Sequence, residues 1–203
     1  MMIQPGTYQL HVQGYNDEVF AVRYALDVKV TAAAAPAVDG LIINEVLAND
    51  STIDANCDTV TTGEQDEFVE LVNASTDFVT LAGVTIADAE AVRHTFSAVG
   101  LRPGEAAVVF SGGAASCAAF DGVVVEISDT ALALNNTTET VTVSSATPAV
   151  LATVSYATSS AGTSWNLVTD GIDTVVGTTS GIFAAHLAAG RSPGTRMDGS
   201  AFD

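Results

Sequence analysis

Basic residues are scarce in this 203-residue chain: six Lys plus Arg stand against 24 Asp plus Glu, a formal net charge of −18. Arg23, Lys29, Arg93, Arg102, Arg191 and Arg196 are scattered rather than clustered. Binding to nucleic acid or to an anionic membrane needs grouped cations that displace counterions from phosphates, so this balance argues against both. No lysine follows Lys29, and a Walker A loop therefore cannot be written in the main part of the chain. There is no G-x-S-x-G elbow and no H-E-x-x-H pair. His11, His94 and His186 stand apart, without the spacing that would let them complete a zinc site with the two cysteines. The chain thus reads as non-enzymatic. No apolar run reaches the roughly 18 residues a membrane-spanning helix needs. The opening MMIQPGTYQL has neither a basic start nor an apolar stretch, so no secretory signal is read there, and the chain is expected to belong to something longer.

What is present favours strands. Val, Ala and Thr dominate, apolar residues make up 48% and charged ones 15%, which is enough for a real core built from a β-prone composition. Residues 1–31 hold two alternating runs around Gly14, Asn16 and Asp17, the pattern of a β-hairpin that ends an upstream β domain. Residues 32–40, rich in Ala and holding Pro36, read as a linker. From Leu41 to Tyr156 short runs follow one another between turn signals: LIINEVLA, EFVELVN, FVTLAGVTIAD, RHTFS, EAAVVF, VVVEIS, ETVTVS and VLATVSYA. Such a succession without a helical period predicts an all-β sandwich or barrel, with ASCAAF as the one weak helical candidate. Residues 157–203, rich in Gly, Ser and Thr, are expected to be coil packed in part through Trp165.

The order LIINEVLAND, QDEFVELVNASTDFVTLAGVTIAD, HTFSAVGLRPGEAAVVFSGG, LALNNTTETVTV and TVSYA resembles the lamin tail domain, in its secreted bacterial branch. SWNLVTDGID and the terminal SPGT, Ser192 to Thr195, extend the likeness. The resemblance implies an immunoglobulin-like β-sandwich and a role in protein or cell-surface interaction. Val168 and Thr169 stand where an arginine follows SWNL in similar sequences, a departure that bears on ligand binding rather than on the fold.

Cys57 and Cys117 lie 60 positions apart, each in a loop-like context. They are either two unrelated buried thiols or a disulfide, and the loop contexts and the acidic, lysine-poor, extracellular-looking composition favour the bridge. On a chain-entropy account such a loop stabilises by about 4 kcal/mol before strain. Between Asp50 and Glu70 seven acidic residues occur with no cation among them. Asp54, Asn56 and Asp58 match the opening of a calcium loop, in which alternate side-chain oxygens converge on one hard ion. Thr59 at the sixth place and Gln65 at the twelfth exclude an EF-hand. Two readings remain, a solvated acidic loop and a looser calcium site built from Asp54, Asn56, Asp58 and Asp66 or Glu67. Like charges this close repel unless they are solvated or neutralised. His94 is expected on a solvated strand face or bonded to a carbonyl, and His186 has no partner nearby in sequence. Trp165 is either a stacking platform for a carbohydrate ligand or an anchor for the tail.

The functional expectation is a non-catalytic binding or localisation module of a secreted or cell-surface bacterial protein, with an unnamed protein or surface ligand. The alternatives are a calcium-dependent adhesion module, and an accessory region of a secreted nuclease, phosphatase or protease whose catalytic domain lies elsewhere.

Overall fold

A computed structural model describes residues 40–50, 53–61, 64–168, 170, 183–186 and 190–202. The hairpin read over 1–31 and nearly all of the linker lie outside the described residues.

The alternating runs fold as strands. They are β1 (Leu41–Leu47), β2 (Phe68–Asn73), β3 (Val79–Thr80), β4 (Thr85–Ala87), β5 (Val92–Thr95), β6 (Gly100–Leu101), β7 (Ala106–Phe110) and β8 (Val124–Ile127). β9 (Glu139–Ser144), β10 (Val150–Tyr156), β11 (Trp165–Leu167) and β12 (Phe183–Ala185) follow. One large sheet has the order β12-β11-β1-β2-β7-β8, a second has β10-β9-β4-β5, and β3 pairs with β6. Between the two larger sheets lies one core, to which Ile43, Val46, Leu71 and Val109 contribute from one side and Ile86, Val141, Val143 and Val154 from the other. This is a β-sandwich, as the sequence predicts. ASCAAF supplies a single 3₁₀ turn, Ala118–Phe120, within the crossover joining the parallel neighbours β7 and β8.

The smaller sheet keeps a one-sided pattern: β9 alternates buried and half-buried residues along ETVTVS. The larger sheet does not. Every residue of β1, β2 and β7 is buried, which requires cover on both faces. β1 manages its two faces with a bulge. Its pairing with β2 steps from Ile43↔Leu71 to Glu45↔Glu70, leaving Asn44 as the extra residue. Side-chain parity flips there, so that Leu41, Ile43, Val46 and Ala48 all join the inner core. Ile42 and Leu47 join two separate apolar clusters on the outer face. Glu45 stands between them.

Two departures from the sequence reading have simple causes. FVTLAGVTIAD reads as one strand but splits into β3 and β4 on different sheets, because Gly83 turns the chain at φ +76°. Beyond Tyr156 the chain is not all coil: β11 pairs antiparallel with β1 and β12 with β11. Three-residue strands carry too little alternation to be read from sequence.

Candidate functional site

The predicted bridge is formed. Cys57 and Cys117 are joined with a Cα–Cα separation of 5.0 Å, which fastens the loop before β2 to the crossover after β7. Most of the acidic oxygens of that loop that make a hydrogen bond accept from main-chain N–H groups. Asp66 Oδ1 accepts from the N–H groups of Ala55 at 2.6 Å and Asn56 at 3.0 Å. Asp54 Oδ2 accepts from Thr59 N–H at 3.1 Å, and Asp58 accepts from Val60 N–H at 2.8 Å and Ala114 N–H at 3.1 Å. Asn56 Oδ1 accepts from Asp58 N–H at 2.9 Å, while its amide donates to Gly112 O. Glu67 points elsewhere and accepts from Leu134 N–H at 3.1 Å. Burial pushes the Glu67 carboxyl up to about 8 and raises those of Asp50 and Asp66. The five residues singled out for calcium are thus neighbours in one loop system, where Asp54 Oδ1 is buried without a hydrogen-bond partner among the described residues. Among the described residues no group of three or more His, Cys, Asp or Glu is arranged to hold a metal ion.

The most unusual chemistry lies at a pair of strand residues that no motif marks. Glu45 and Glu70 face each other across β1 and β2, both fully buried on the outer face of the large sheet. Their oxygens are taken by the C-terminal segment and by the bulge. Glu45 Oε1 accepts from Ser164 Oγ at 2.6 Å and Ser192 N–H at 2.8 Å, and Oε2 accepts from Ser192 Oγ at 2.7 Å. Glu70 accepts from the Asn44 amide at 2.8 Å and from Gly194 N–H at 2.7 Å. Ser192 and Gly194 belong to the SPGT run, which thus serves as the clasp closing over the pair. Gly194 is required there: at φ +79°, an added Cβ would sit 3.0 Å from the Phe120 ring. Desolvation pushes the Glu45 carboxyl up to about 7, against the pull of its Ser164 and Ser192 hydrogen bonds. Burial, and then the charge of Glu45, hold the Glu70 carboxyl well above the usual range. Both carboxyls therefore keep their protons to higher pH than a solvated glutamate does.

His186 completes the cluster, its Nε2 lying 3.1 Å from Ser192 Oγ. Burial lowers its basicity. Carboxylate, hydroxyl and imidazole are present, but in the wrong order for a nucleophilic triad. The acid here bonds the hydroxyl instead of orienting the imidazole, and the hydroxyl is buried in the clasp. The arrangement holds chain and protons.

The two long seams of the sandwich differ. On one side β5 and β8, each the last strand of its sheet, are stitched together. His94, buried rather than solvated, meets Glu126 at 2.8 Å, Ser97 Oγ donates to Glu126 at 2.5 Å, and Thr95 N–H donates to Asp129 at 2.8 Å. Thr130 N–H reaches Arg93 O at 3.2 Å. On the other side β10 ends its sheet and β12 ends the large one, and between them runs a groove of ≈ 340 Å³ lined by Thr153, Val154, Ser155, Tyr156, Ala157, Trp165 and Phe183. Trp165, in β11, lies nearly parallel to Tyr156 with ring centroids 6.2 Å apart, and also packs on the core.

A family model described as Lamin Tail Domain matches residues 34–158. The match covers more than half of the chain, which therefore belongs to the lamin tail domain family, a family of non-catalytic immunoglobulin-like interaction domains. The clasp formed by Ser164, Ser192 and Gly194 lies beyond the matched span. No curated protein matches the chain.

Proposed function

We propose that this lamin tail domain is a non-catalytic binding and localisation module of a secreted or cell-surface protein, engaging a partner protein through its surface. One observation carries the reading: the buried acids and hydroxyls that would do chemistry hold the chain's own backbone, and the groove is lined by uncharged residues. Among the described residues, what remains for function is the surface. The Cys57–Cys117 bridge supports an oxidising location, since such bonds persist outside the reducing cytosol.

The test is a binding one. The purified oxidised chain, immobilised, is exposed to the surface and secreted proteins of its source, with heat-unfolded chain as the control. Saturable retention of a defined protein by the folded chain alone is expected. Equal retention by the unfolded control, or none at all, overturns the reading.

A further inference from the structure

β10 is a seven-residue edge strand, VLATVSY, without a charge or a proline, and among the described residues it pairs with β9 alone. Proteins blunt such edges with lysine, proline or a covering segment, because the unpaired N–H and C=O groups otherwise recruit another strand. The opposite seam of this sandwich is closed in that way by Glu126, Asp129 and Thr130. At β10 the groove instead runs along five consecutive residues, Thr153 to Ala157, with Trp165 and Phe183 as its far wall. A groove that follows a strand edge residue by residue offers a row of main-chain hydrogen-bonding groups beside an aromatic slot.

We propose that β10 accepts an extended segment of a partner protein as an added strand, its uncharged alternating core in the groove and Lys or Arg residues flanking it. Strand addition takes affinity from main-chain pairing and specificity from pockets that receive alternate side chains. The groove that Trp165 and Phe183 help to line is where such side chains would lie. Charge selects the rest of the occupant. No charged side chain lines the groove, while the chain as a whole carries −18, which repels an acidic segment and a second copy of the same chain and attracts basic flanks. This proposal rests on the interaction-module reading and names the partner's chemistry.

Trp165 is the single tryptophan of the chain, so its fluorescence reports on the groove directly. The full chain is titrated with a ten-residue peptide of alternating Val and Thr flanked by two Lys at each end. Controls are the same peptide N-methylated at alternate residues, and one flanked by Glu. A saturable change in Trp165 emission is expected with the first peptide, at least about tenfold weaker with either control, and weakened by salt. Ser155 is exposed, so Ser155→Lys leaves the core intact and plants a charge on the edge; it should weaken binding about tenfold. An unchanged emission with every peptide overturns the proposal, as does equal binding of the methylated peptide or a response to oligosaccharide in its place. Concentration-dependent self-association that alters Trp165 assigns the edge to a second copy and overturns it too. If the immobilised chain still retains a partner protein while the peptides fail, strand addition falls and the module reading stands. If both fail, both fall.

Discussion

Glu45 and Glu70 are directly opposed residues of neighbouring antiparallel strands, both fully buried, and each receives a main-chain N–H from the same four-residue run, Ser192 to Thr195. Two carboxylates in register repel when both are ionised, so the site is at its best with protons bound.

That relationship fixes a pH dependence. Glu45 moves from its ordinary 4.5 to about 7 in the folded chain, Glu67 to about 8, and Glu70 upward. A group whose folded pKa is raised stabilises fully below its unfolded value and loses that contribution as pH rises through the folded one. Melting temperature should therefore fall from about pH 5 to about pH 8. Glu70→Gln should make that fall markedly shallower, since one of the two opposed charges is gone. Thermal melts across pH 5–9 decide it, and an equally steep slope in the variant would refute the shared-proton account.

The clasp can be loosened without touching the carboxylates. Gly194→Ala places a side chain against Phe120 and Ala119 at a left-handed position, and should cost about 1–3 kcal/mol. Ser192→Ala removes a hydroxyl bonded to Glu45 and should cost about 1–3 kcal/mol. Hydrogen exchange should speed first at 190–196, ahead of β9. Protection lost evenly across both sheets would mean that the segment is no separate latch.

Reducing the Cys57–Cys117 bridge, or replacing both cysteines by Ser, should lower stability by about 2–4 kcal/mol. Melting with and without reductant measures this. An unmoved midpoint would show that the acidic-loop hydrogen bonds fasten the two loops unaided.

Calcium should matter little. Asp54 Oδ2, both Asp58 oxygens and Asp66 Oδ1 are already accepting from the main-chain N–H groups of Ala55, Asn56, Thr59, Val60 and Ala114. Melts in excess calcium and in chelator should coincide, whereas Asp66→Ala should cost about 1–3 kcal/mol by stranding two buried N–H groups. A calcium-dependent rise in the midpoint would establish the cation site.

The strand runs, the sandwich and the bridge were legible because each has a local signature: alternation along ETVTVS and VLATVSYA, turn residues between runs, and two cysteines outside any run. The Glu45–Glu70 pair was not. A glutamate inside an apolar strand reads as a solvated position, and here its burial depends on a segment more than 100 residues further along. The Asn44 bulge that aims Glu45 outward leaves no mark in LIINEVLA, since either parity presents apolar residues. His94 and His186 were read from neighbours in sequence, while their partners Glu126 and Ser192 are set by tertiary packing.

A protein made from its N-terminus onward meets a particular delay in this design. Until residues 190–196 have been synthesised, Glu45 and Glu70 lack the Ser192 and Gly194 donors that close over them, and have less reason to give up their charge. Docking of that segment is thus coupled to proton uptake, because the carboxyls it covers have raised pKa values in the folded chain.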